Sequence, residues 1–133
     1  MHIFVPVDNR MGLTFFGRRL SRDRALCTEL LARCGDRPLL ISPFSEALFS
    51  AEDHISLRED LLGTAQPGDF CFCENQALAP YEDQIEALTL CRWNRDYPSD
   101  RKLDLELSDW TLQDSRDIPG HSHETITLEV YAK

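Results

Sequence analysis

The chain gathers its chemically capable side chains into a few short segments. Phe16-Gly17-Arg18-Arg19-Leu20-Ser21-Arg22-Asp23-Arg24 sets several arginines just ahead of a predicted helix. Guanidinium forks match phosphate or carboxylate, and a helix N-terminus adds free N–H groups and partial positive charge. The segment is therefore a candidate anion site, with Arg18 and Arg19 as its ligand-binding residues. The plainer alternative is that these arginines pair with the chain's own carboxylates, since no phosphate loop of the G-x-x-x-x-G-K-[ST] type is present.

Gly120-His121-Ser122-His123-Glu124 is the second such segment. Two histidines one residue apart on extended chain point to the same side, as metal sites often require. A metal needs at least one more ligand, and no H-x-x-E-H partner motif follows, so no metal is expected. His123 is instead a candidate for acid–base work, with Glu124 or Glu74 as the second proton-moving group and His121 as a ligand contact. A hydrogen-bonded entry into the last strand is the structural alternative. Arg92-Trp93-Asn94-Arg95-Asp96-Tyr97-Pro98 interleaves aromatics with hydrogen-bonding groups and resembles a stacking surface, which nominates Arg92, Asn94 and Arg95. It reads equally as a strand end with a core tryptophan. Glu74-Asn75 follows an aromatic strand, where a carboxylate serves either catalysis or an ion pair. Cys71, Cys73 and Cys91 sit in apolar surroundings, which favours reduced, metal-free thiols.

These segments need elements to hold them. His2–Val7 is apolar and β-prone, and Asp8–Gly12 is turn chemistry, so Leu13–Phe16 is expected as the second arm of a hairpin. Ser21 is the expected cap of a helix carrying Leu26, Leu30 and Leu31 and stopped by Gly35. A strand at Leu39–Ser42 and a helical turn over Phe44–Phe49 come next. Ser56-Leu57-Arg58-Glu59 fits a capping box that opens a short helix ended by Gly63. Asp69–Glu74 reads as a strand with Phe70 and Phe72 on one face and Cys71 and Cys73 on the other. A turn to about Gln84 leads into a strand over Ala87–Trp93, then a polar loop over Asn94–Lys102. Strands at Trp110–Leu112 and Thr125–Tyr131 close the chain. In the last, Ile126, Leu128 and Val130 alternate with Thr127 and Glu129. The sum is a single α/β domain over residues 1–133, with a mixed, largely antiparallel sheet and a few helices.

Charge narrows the partners. The 133 residues carry 14 basic and 23 acidic side chains, a net of −9. The first 35 residues are nevertheless net basic, with six arginines. A mostly acidic surface repels a nucleic-acid backbone, so a nucleic acid could be met only through the local arginine cluster. No apolar run approaches the ~18 residues of a membrane span. Met1–Val5 shows no basic and then apolar leader pattern, and the five cysteines are odd in number without a C-x-x-C, so a reducing cytoplasm is the expected setting.

Val5-Pro6-Val7-Asp8-Asn9, Gly12-Leu13, Arg18-Arg19-x-Ser21-x-Asp23, Phe72-x-Glu74-Asn75, Arg92-Trp93-Asn94-Arg95-x-Tyr97-Pro98 and Ser122-His123-Glu124-x-Ile126-Thr127-x-Glu129-Val130-Tyr131 together resemble a family of small bacterial proteins often labelled ribonuclease Z. The zinc motif H-x-H-x-D-H is absent, because Glu124-Thr125-Ile126 follows His123, and two-metal phosphodiesterase chemistry is not implied. The opening Val5–Arg18 is also similar to the start of dinitrogenase iron–molybdenum cofactor-binding domains, which implies a small ribonuclease-H-like α/β fold. The leading expectation is a non-enzymatic binding or interaction domain with an arginine-rich site for an anionic small molecule or a protein partner, and no cofactor. The alternatives are a hydrolase or ribonuclease acting on a phosphorylated substrate, and an immunity-type inhibitor that masks a basic toxin with its acidic face. Arg18 or Arg19, Arg95 and His123 are expected in one cleft, with Glu74 at its edge.

Overall fold

A computed structural model describes all 133 residues. Its frame is a seven-stranded sheet centred on β1 (His2–Val7). On one side lie β6 (Phe70–Phe72), β4 (Leu39–Ile41) and β5 (Ile55–Leu57). On the other lie β7 (Ala87–Arg92), β10 (Thr125–Ala132) and β9 (Thr111–Pro119). β5, β4, β6, β1 and β7 run parallel; β10 runs against them and pairs antiparallel with both β7 and β9. The sheet is mixed, as its sequence suggests, but largely parallel rather than antiparallel. Short, wholly apolar strands such as Leu39–Ile41 mark a sheet covered on both faces, which is the habit of parallel strands.

Alternation along β1 divides two cores. Ile3, Val5 and Val7 face a cluster with Cys71, Cys73, Leu88 and Leu90, roofed by Leu61, Leu62, Leu78 and Trp110. Phe4 faces the opposite cluster with Phe72, Cys91, Ile126 and Leu128, covered by Leu26 and Leu30 of α1 (Arg24–Arg33). Phe72 and the two flanking cysteines thus take opposite faces, as expected. Ile126 and Leu128 are fully buried, while Val130 is only half-buried near the sheet's end.

Several local expectations give way to tertiary pairing. Both edges of β1 are occupied, by β6 and β7, so β2 (Gly12–Phe15) cannot form a hairpin with it. β2 instead pairs with β3 (Arg18–Arg19) and β8 (Arg101–Lys102) in a small second sheet. The β2–β3 turn is tight: Phe16 adopts a φ of 49° and Gly17 one of 74°, and Phe16 is 77% exposed. Ser56 belongs to β5 rather than to a capping box, and Asp60 caps the short helix α2 (Leu61–Thr64). Pro43–Leu48 and Ala79–Gln84 are 3-10 helices.

The chain adds strands first on one side of β1 and later on the other, so its connections diverge there. In open α/β sheets the crevice beyond the carboxyl ends of the strands at such a divergence is where ligands bind. Asp8, Ser42, Glu74 and Trp93 all lie just beyond the carboxyl ends of parallel strands, and the turn before β10 reaches the same edge.

Candidate functional site

Asp23 organises this edge. It sits in extended conformation just before α1, and its Oδ1 accepts the Ala25 N–H at 2.8 Å. The same carboxylate accepts the backbone N–H groups of His121, Ser122 and His123 at 2.9 to 3.1 Å, and lies 2.9 Å from His123 Nδ1. Gly120 is required in this turn, because a Cβ there would collide with the His123 carbonyl. The Asp23 side chain is fully buried and that of His123 is 2% exposed. Burial pushes the Asp23 carboxyl up, but the bonds from His121, the His123 ring, Ser122 and Ala25 outweigh it and hold the carboxyl well below the usual range.

The other face of the imidazole is equally defined. His123 Nε2 lies 2.9 Å from Ser21 Oγ and 3.3 Å from the Tyr97 hydroxyl, and the ring stacks on Trp93 at 4.6 Å. The Tyr97 loop is fixed from below by Asp8, whose buried carboxylate accepts N–H bonds from Arg10, Gly12 and Tyr97. Ser21, expected to cap α1, leaves that task to Asp23 and turns to His123.

A cleft of about 510 Å³ opens beside the pair, between α1 and the Pro43–Leu48 helix. Leu31, Leu48 and Phe49 give it an apolar wall, and Arg22, Arg24, Asp23, Asp53 and His121 supply charged and polar lining.

The remaining expected site residues separate. Arg19 forms two parallel bonds to Glu74, Nε to Oε1 at 3.0 Å and Nη2 to Oε2 at 3.1 Å, and its Nη2 also reaches the Phe44 carbonyl at 2.6 Å. Ser45 Oγ donates to the same carboxylate at 2.7 Å. Arg18 is exposed on β3. Arg92 is paired with Glu129, and Asn94 Nδ2 bonds Thr125 O and Thr127 Oγ1. Arg95 and Glu124 are exposed, and His121 stands at the cleft. So Arg19 meets Glu74, and His123 meets Asp23, Ser21, Tyr97 and Trp93. Sequence reasoning singled out His123 but gave Ser21 only a capping role and left Asp23 as one more charged residue at the helix start. The contact between Asp23 and His123 spans 100 residues, and nothing local announces it.

Cys71 and Cys73 lie in one core and Cys91 in the other, so these thiols do not converge. Burial pushes the Cys71 thiol up to about 12, where it is a neutral packing group. No cluster of three or more His, Cys, Asp or Glu side chains is placed to hold a metal ion.

The order of the seven strands, with its parallel centre and antiparallel last hairpin, defines an α/β protein whose sheet connections diverge at β1. No family model matches the chain, and no curated protein matches it. Among solved structures it is similar to dihydrofolate reductase from Enterococcus faecalis, described as complexed with NADP(H) and RAB-propyl. The likeness covers 99% of this chain and 95% of that one, with a TM-score of 0.66 at 9% sequence identity, and it shows the fold. It overturns the resemblance to the ribonuclease Z-labelled family and to the dinitrogenase cofactor-binding domains, which no match supports. The ribonuclease-H-like expectation finds no support in it either. The reading as a non-enzymatic binding domain is corrected too: the solved protein that shares this fold is a reductase described with NADP(H), and neither a ribonuclease nor a toxin inhibitor is among the matches. No helix is long and apolar enough to cross a membrane.

Proposed function

We propose that this chain is a single-domain enzyme on the dihydrofolate reductase fold that acts on a small organic anion. The substrate's apolar part lies between α1 and the Pro43–Leu48 helix, and the His123–Asp23 pair, joined to that cleft through Asp23, moves protons beside it. One observation carries the reading: Asp23 is both a lining residue of the cleft and the Nδ1 partner of His123. The cleft is of the size that holds small ligands, roughly 300–1,000 Å³, and its mixture of apolar wall and a few charged groups is typical of such sites. Ionised Asp23 keeps the proton on Nδ1, so Nε2 is the nitrogen that takes or gives a proton. Arg22 and Arg24 supply the attraction for an anion.

The solved reductase holds NADP(H), and this chain's residues do not fit that group. A dinucleotide's pyrophosphate needs glycine backbone and free N–H groups beyond the carboxyl ends of the parallel strands. Here the turn after β4 is Ser42-Pro43-Phe44 and the turn after β6 is Cys73-Glu74-Asn75, with no glycine in either. Glu74 is 5% exposed and puts a fixed negative charge at that rim, with Arg19 and Ser45 already committed to it. No step is therefore assigned to a nicotinamide.

Titration with 3-phenylpropionate, followed by amide chemical shifts, tests the cleft. Saturable shifts at Thr28, Leu31, Leu48, Ser50 and His121, weakened by salt and by Arg24→Ala, are expected. Shifts scattered over the surface, or none in the cleft, would overturn the reading.

A further inference from the structure

The Ser21 hydroxyl has no role in holding α1, since Asp23 takes the cap. Its Oγ lies 2.9 Å from His123 Nε2, and the opposite ring nitrogen lies 2.9 Å from Asp23 Oδ2. Hydroxyl, imidazole and buried carboxylate in series is the arrangement that activates a serine, and it recurs on unrelated folds. Three features here meet its requirements. Asp23 accepts bonds from several backbone N–H groups, so it stays ionised and fixes the proton on Nδ1. The Trp93 stack fixes the ring plane. Asp23 and His123 are buried whereas Ser21 is partly exposed, so only the hydroxyl end of the series meets solvent.

We propose that Ser21 is a nucleophile, activated by His123 and Asp23, that accepts an acyl group from an ester or thioester of a small organic anion. The substrate class rests on the cleft reading above: Arg22, next in sequence to Ser21, already stands in that cleft. The Oγ–carbon bond forms as the bond from the carbonyl carbon to the leaving oxygen or sulfur breaks. The Ser21 proton passes to His123 Nε2 and from there to the leaving group. Solvent water, giving a proton to the same nitrogen, then cleaves the acyl ester, and that proton returns to Ser21 Oγ. No oxidant or reductant enters. Tyr97, whose hydroxyl also approaches Nε2, competes with Ser21 for the ring and keeps it oriented before substrate arrives.

The full chain is treated with a fluorophosphonate and with p-nitrophenyl 3-phenylpropionate, then analysed by intact mass and peptide mapping. A single adduct on Ser21 is expected, absent in Ser21→Ala and formed on the order of a hundredfold more slowly in His123→Gln. If His123→Gln does not fold, Ser21→Cys serves instead. Its thiol should react with iodoacetamide faster than that of Ser50→Cys, a solvent-exposed site on the same cleft. No adduct on Ser21, an adduct indifferent to His123→Gln, or equal rates for the two cysteine variants would each overturn the proposal. Free 3-phenylpropionate separates the two readings. If it still shifts the cleft resonances while Ser21 stays unlabelled, the nucleophile fails and the cleft stands. If Ser21 is labelled but free 3-phenylpropionate gives no protection, the assigned substrate class fails.

Discussion

Asp23 combines complete burial with charge, and that combination has a measurable cost in acid. Its folded-state ionisation lies below the unfolded value of 3.8. Its contribution to stability is therefore fully present above that value, and is lost as pH falls through it toward the lower folded-state value. Urea unfolding between pH 7 and pH 2.5 should show stability falling below about pH 4. Asp23→Asn should be less stable at neutral pH and show a flatter decline. An identical decline would mean that the acid sensitivity lies in Asp8 and Glu86, whose carboxyls are also held low. At this scale the sequence was partly legible. His123 stood out by its type and its neighbours. Ser21 and Asp23 looked like ordinary helix-start residues, because their partners come from a turn about a hundred positions away. Arg19 and Glu74 were each visible, but their mutual pairing was not.

At the scale of elements, β10 carries the clearest signal. Ile126 and Leu128 are fully buried among Leu26, Leu30 and Cys91, so the strand's apolar period maps directly onto the core. Ile126→Ala should cost on the order of 2–5 kcal/mol in chemical denaturation, and a cost below about 1 kcal/mol would show that this face does not pack as described. α1 was legible at its C-terminal end, where Gly35 takes the left-handed φ of 62° that ends the helix. Pairing was less legible than element type. A polar stretch such as Gln113–Pro119 shows no hydrophobic alternation, since β9 is exposed along nearly its whole length, so only its first residues read as strand. Ser56-Leu57-Arg58-Glu59 has a helix-start pattern, yet a place beside β4 was worth more than a cap.

For the molecule as a whole, strand direction was the property hardest to infer. Parallel pairing depends on crossover connections, and the short apolar strands here fit either direction until their neighbours are known. The edge that results carries Asp8 and Glu74 beyond the carboxyl ends of its strands and Asp23 at the head of α1, each satisfied by internal donors. That arrangement leads to an expectation about cofactors. NADPH, titrated by fluorescence at up to millimolar concentration, should not bind saturably, and Glu74→Gln should not create a tight site because the glycine backbone is still missing. Saturable binding in the micromolar range would show that the phosphates find another seat.

β9 has one side hydrogen-bonded to β10 and the other facing water. A nine-residue open edge is a template on which a second chain can extend the sheet, and the commonest protection is charge. Asp114, Arg116 and Asp117 supply it, spaced so that an antiparallel copy would bring unlike charges together in some registers and like charges in others. The solution behaviour of this protein is thus written on a strand remote from its chemistry. Asp114→Val with Asp117→Val should leave Ser21 labelling unchanged while driving self-association in concentrated solution, a change that light scattering would register and added salt would not reverse.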